Sequence, residues 1–89
     1  MYLKKPILTY LEWEDATANS GWFGKQEAKD WVLKTRGLIR EIGWIYFESK
    51  EKIGMFSRWC PADEVGDDKV GALQMIPKTW IRKRKVIKL

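Results

Sequence analysis

Six tryptophans and a C-terminal run of cations are the residues of this sequence best suited to chemistry. Trp13, Trp22, Trp31, Trp44, Trp59 and Trp80 within 89 residues is several times ordinary usage. Aromatic faces stack on nucleobases and anchor protein interfaces. A small core hides two or three such rings, so six predict that some line a ligand pocket or a subunit contact. Residues 69–89 carry seven basic side chains (Lys69, Lys78, Arg82, Lys83, Arg84, Lys85, Lys88) and no acid. The net charge of +5 is therefore +7 in this segment and −2 over the rest. Such asymmetry attracts phosphate or an acidic partner. A charged edge strand that resists aggregation has the same composition.

Other chemistries are harder to build. With no histidine there is no Ser-His-Asp or Cys-His arrangement, and the commonest general base is missing. The single cysteine, Cys60, leaves no internal disulfide and no zinc site of the Cys/His type. No Gly-rich phosphate loop is present, and Asp63, Glu64, Asp67 and Asp68 lack the alternate spacing of a calcium loop. The expectation is a binding protein, not an enzyme, with no cofactor and no metal. No apolar run is long enough to span a bilayer. The N-terminal stretch meets Glu12–Asp15 without a small-residue cleavage site, so a cytoplasmic protein without a signal peptide is expected. The length and the 45% hydrophobic content predict one globular domain, residues 1–89. Its core would be marginal, a deficit that self-association offsets.

The elements that must position these residues are mainly strands. Ile7 to Trp13 alternates as a strand beginning after Pro6, and residues 15–21 read as a turn-rich loop with Thr17, Asn19 and Ser20 between two tryptophans. Residues 24–36 have helical spacing (Ala28, Trp31, Val32, Thr35), with Gly37 placed to stop the helix in a left-handed conformation. A helix this short is weak alone, so its Trp31 face is expected against a sheet. Leu38 to Glu48 alternates as a long strand, with Gly43 as a bulge or bend. Ile53 to Cys60 returns as its hairpin partner, Gly71 to Ile76 is a short strand, and Trp80 to Leu89 alternates after the Pro77–Thr79 break. The fold class is α+β, mainly β: a small, strongly bent sheet or SH3/Sm-like barrel of about five strands, with one helix after the first.

Three segments carry a resemblance. W-E-D-A-T-A-N-S-G-W at 13–22, G-W-I-Y-F-E at 43–48 and G-A-L-Q-M-I-P-K-T-W-I-R-K at 71–83 resemble small accessory proteins of tailed phages with W-x-D-A…G-W and I-P-K-x-x-I segments. The resemblance implies a protein made in the host cytoplasm during infection. By analogy of kind, it implies an immune-evasion sponge that sequesters a cyclic-nucleotide signal of CBASS-type defence. A cyclic dinucleotide offers two bases and two phosphates, which rings and cations of a homo-oligomer (dimer or tetramer) could clamp symmetrically. The candidate ligand-binding residues are Trp13, Trp22, Trp59 and Trp80 for stacking and Arg58, Lys78, Arg82 and Arg84 for phosphate. Asp15 and Asn19 are candidates for base edges. Trp80, Arg82 and Arg84 would form one stripe if the last strand alternates through them. The alternatives are a small-barrel protein binding single-stranded nucleic acid, or an inhibitor of a host enzyme anchored by tryptophans.

Overall fold

The computed structural model describes residues 1–16, 18, 20–35, 37–62 and 66–89. Along the chain run β1 (Tyr2–Glu14), α1 (Lys25–Lys34), β2 (Leu38–Glu48), β3 (Lys52–Phe56), β4 (Arg58–Cys60), β5 (Lys69–Gly71), β6 (Gln74–Pro77), a 3-10 turn (Lys78–Trp80) and β7 (Ile81–Val86). Five strands form an antiparallel sheet in the order β6-β3-β2-β1-β7, curled into a half-barrel, and β4 and β5 pair separately. The last strand thus lies beside the first, as a small barrel requires.

Alternation decides what the sheet buries. In the ladders, Thr9 faces Gly43, Leu11 faces Glu41 and Trp13 faces Ile39, which puts the odd residues of β1 on the concave side. Leu11, Ile45, Ile53, Met55 and Ile76 are closed to solvent there, with Trp13 nearly so. Leu3, Ile39, Trp80 and Ile81 pack around them. Trp13 donates its indole N–H to Glu41 Oε1 at 2.8 Å, so this buried ring leaves no unpaired donor. Buried Thr9 likewise donates to the Ile7 carbonyl at 2.9 Å.

Several elements differ from the sequence expectation. β1 starts at Tyr2, not after Pro6, because the proline sits within the register shift between Tyr2 and Ile7, where no ladder donor is needed. The expected strand 53–60 divides at Ser57, and the expected strand 71–76 divides at Ala72, whose φ of 56° cannot continue a strand. Gly43 is not a bulge. Its ladder to β1 is continuous, and the irregularity against β3 falls between Ile45 and Phe47. Gly43 instead makes room where β3 leaves the sheet: a Cβ there would lie 2.7 Å from Met55 Cε and 2.8 Å from the Phe56 carbonyl oxygen.

The helix stands away from the sheet. Glu14 pairs with Leu38, so the chain between β1 and β2 leaves from the end of the ribbon, closed at its base by Asp15 N–H to the Gly37 carbonyl at 2.8 Å. None of the ten residues of α1 is buried, and the expected packing of Trp31 on a sheet does not occur. The helix ends at Lys34 with Thr35 already extended, so it stops before reaching Gly37. The arm gives the molecule a longest dimension of 61 Å and a radius of gyration of 17.4 Å. A compact chain of this length has about 12 Å.

Gly43→Ala should destabilise the fold by ~1–3 kcal/mol, because the obstructing atom is backbone and cannot rotate away. Gly71→Ala, whose Cβ would sit 3.6 Å from Arg58 Cβ, should change stability by less than ~0.5 kcal/mol. Urea midpoints of the two variants check this pair.

Candidate functional site

The ten candidate residues separate into three places. Trp13, Trp80, Lys78, Arg82 and Arg84 belong to the closure of the half-barrel. Trp80 falls in the 3-10 turn, not in β7, and stacks on Trp13 at 6.3 Å with planes 16° apart. The stripe of Trp80, Arg82 and Arg84 along one strand therefore does not form. Arg84 grips Glu48 with two hydrogen bonds, Nη1 to Oε2 at 3.1 Å and Nη2 to Oε1 at 2.8 Å. Lys78 adds Nζ to Oε2 at 2.7 Å. Arg82 donates to the Thr79 carbonyl at 2.7 Å and lies 3.6 Å from Glu14. Three of the four cations proposed for phosphate are thus paired with the protein's own oxygens.

Asp15 and Trp22 belong to the arm. Asp15 holds its base, and its Oδ1 accepts from Ala16 N–H at 2.8 Å. Trp22 is fully exposed beside Phe23. Asn19, with Thr17, lies outside the described residues.

Arg58 and Trp59 come together on the β4–β5 hairpin. Its register is Arg58 to Gly71, Trp59 to Val70 and Cys60 to Lys69, which sets Arg58, Cys60, Lys69 and Gly71 on one face of the ribbon. A shallow cleft of about 270 Å³ runs over these residues and over Trp59 and Val70. Trp59 is anchored from behind. It stands edge-on to Trp44 at 5.5 Å and to Phe56 at 5.7 Å, and those two rings stack on each other at 5.6 Å. Its indole N–H donates to Asp68 Oδ2 at 2.8 Å, while Asp68 Oδ1 accepts from Ala62 N–H, which ties the two ends of the β4–β5 loop. More than a third of Trp59 remains exposed. The cation-bearing face of the ribbon thus has Arg58 and Lys69 about a floor without a side chain at Gly71, while alternation turns the Trp59 ring to the other face, toward Trp44 and Phe56.

A second surface was not anticipated. Across β7, β1 and β2, the convex face carries the rows Lys83–Glu12–Arg40 and Lys85–Tyr10–Ile42, and across β1, β2 and β3 the row Leu8–Trp44–Phe56. Tyr10 donates to Glu12, and that bond to a carboxylate, followed by loss of solvation, raises its pKa above the ordinary value. Alternation in 80–89 had already separated Lys83 and Lys85 from Arg82 and Arg84. Their neighbours, and Lys69 in the cleft, depend on strand register, which one sequence does not contain.

Hydrogen bonds from Arg84, and then from Lys78, hold Glu48 down to about 2 from an ordinary 4.5. A carboxyl whose pKa is lowered on folding contributes stability that is complete above its unfolded pKa and lost as pH falls toward the folded one. Glu48→Gln should therefore cost ~1–2 kcal/mol at neutral pH, a range reduced for screening because nearly a third of the side chain is exposed. The gap from wild type should close between the ordinary 4.5 and about 2. Thermal denaturation of both proteins across that range checks it, and a gap independent of pH would remove the charged part of the clamp. No helix among the described residues is long and apolar enough to cross a membrane. Compared with known proteins, the chain matches no family model, no curated protein and no solved structure.

Proposed function

We propose that this protein is a non-enzymatic binder of a cyclic nucleotide, and that it acts as a phage-type immune-evasion sponge that withdraws a defence signal. The observation that carries the reading is the shallow cleft over the exposed hairpin, with Arg58 and Lys69 on one face of the ribbon and Trp59 beside them on the other. Its volume of about 270 Å³ suits one nucleotide unit, not a whole cyclic dinucleotide. Each copy would take one phosphate between Arg58 and Lys69 and one base around the ribbon edge toward Trp59, and a two-fold oligomer would supply the other half. Binding of this kind needs no general base, in keeping with the absence of histidine.

A second reading, binding of single-stranded nucleic acid, is favoured by the convex face. There Lys83, Lys85 and Arg40 flank Tyr10, Ile42 and Trp44 on an open surface that could follow a polymer.

Calorimetric titration with cyclic di- and trinucleotides, beside single-stranded oligonucleotides at two salt concentrations, separates the two. Under the first reading, Trp59→Ala and the pair Arg58→Ala/Lys69→Ala each weaken cyclic-nucleotide binding about tenfold or more. Lys83→Glu/Lys85→Glu leaves it unchanged. Loss of binding in that second pair, with a steep salt dependence for oligonucleotides, would transfer the function to the convex face.

A further inference from the structure

We infer that the arm is a homodimerisation element, in which the apolar face of α1 packs antiparallel on the same face of a second copy. Phe23, Ala28, Trp31 and Val32 enclose a hollow of about 180 Å³. Ala28 and Val32 also border, with Lys29 and Leu33, a wider apolar groove of about 480 Å³. The face is therefore a continuous ridge and hollow with small Ala28 at its centre, the profile that lets two helices approach closely.

Three observations identify the occupant as a second copy. The first is area. Val32 is 68% exposed, Leu33 83% and Phe23 47%, and Trp22, next to Phe23 in the chain, is fully exposed. With roughly 150–250 Å² per aromatic side chain, these residues present on the order of 600 Å² of apolar surface. That is the upper end of what a monomer leaves uncovered. With Trp31 and the aliphatic stem of Lys29 it approaches the ~800 Å² per partner of a standard interface. The second is charge. The helix has Glu27 in its first turn and Lys34 in its last. An antiparallel pair brings each Glu27 beside the partner's last turn and opposes the two helix dipoles. With three lysines against Glu27 and Asp30, α1 carries +1, whereas residues 69–89 carry +7. A polyanion or an acidic membrane would find its charge complement on the barrel, not on this face. The third is helix stability. An isolated ten-residue helix is marginal in water, and here no N-cap side chain and no buried residue supports it. A partner surface supplies what the sheet does not.

The proposal does not depend on the ligand, and it is tested without one. Sedimentation velocity of the full chain over micromolar concentrations should show a dimer. Val32→Glu/Leu33→Glu should raise its dissociation constant about 30-fold or more. The thermal midpoint and near-ultraviolet dichroism of the barrel, set by Trp13 and Trp80, should stay unchanged once measured on monomer. Glu27→Lys and Lys34→Glu should each weaken the dimer, and the double charge swap should restore it. A wild type that is monomeric at 100 µM, or one that instead cosediments with anionic lipid vesicles, would overturn the inference. So would a dimer indifferent to Val32→Glu/Leu33→Glu, or one not restored by the double swap.

Discussion

The Glu48 carboxylate is the tie on which the half-barrel depends. The two edge strands, β6 and β7, lie at opposite ends of the sheet and do not complete a ring of ladders. Glu48, from the middle strand β2, accepts Arg84 from β7 and Lys78 from the turn that follows β6. One carboxylate thus gathers both edges over the same end of the core. The bidentate fork is the strongest form such a contact takes, and it fixes direction as well as distance. Against a hydrophobic interior of seven nearly buried side chains among the described residues, this geometry matters more than it would in a large domain. The same pairing explains why a strongly basic strand is tolerated beside β1. Arg82 and Arg84 meet Glu14 and Glu48, which leaves Lys83 and Lys85 on the convex side.

The tryptophans divide by task along the same lines. Trp13 and Trp80 stack within the closure, and Trp44 and Trp59 fasten the hairpin to the convex face with Phe56 between them. Trp31 and Trp22 sit on the arm. Only Trp13 of the six is nearly closed to solvent, so tryptophan here mostly fastens elements at the margin of the core instead of filling it.

Much of the fold was legible from period and punctuation. Alternation located β2 to its exact bounds, Leu38 to Glu48, and the Pro77 break marked the turn into β7. The misplaced features all depend on partners distant in sequence. Pro6 stays in a strand because its neighbour shifts register there. Gly43 is required by the approach of Phe56, thirteen positions away. Ala72 takes a left-handed conformation that its side chain does not advertise. The candidate site was legible only in part. Residue type nominated Arg58 and Trp59, which do meet on an exposed face, but it could not distinguish them from Lys78 and Arg84, whose charge is engaged by Glu48. The I-P-K-x-x-I segment follows the same division. Of I-P-K-x-x-I, Ile76 and Ile81 enter the core and Lys78 joins the clamp. Those motif positions therefore report the requirements of barrel closure.

That separation has a physical consequence for where function can reside. A side chain already paired inside a small closed structure can bind a ligand only by giving up its partner, which leaves a charge or donor unpaired and loosens the barrel. Side chains on the hairpin cleft and the arm face no such penalty. Each stands outside the core: Asp68 ties the loop of the hairpin, Ser57 N–H to the Gly71 carbonyl joins its base, and Asp15 N–H to the Gly37 carbonyl closes the base of the arm. The two projections differ in what they offer. The hairpin presents cations on one face of a ribbon whose tryptophan is held on the other, a surface that water already satisfies. The arm presents apolar surface on a helix too short to hold itself, which water does not satisfy. The first can stay open to water, whereas the second gains free energy only by burial against another apolar surface.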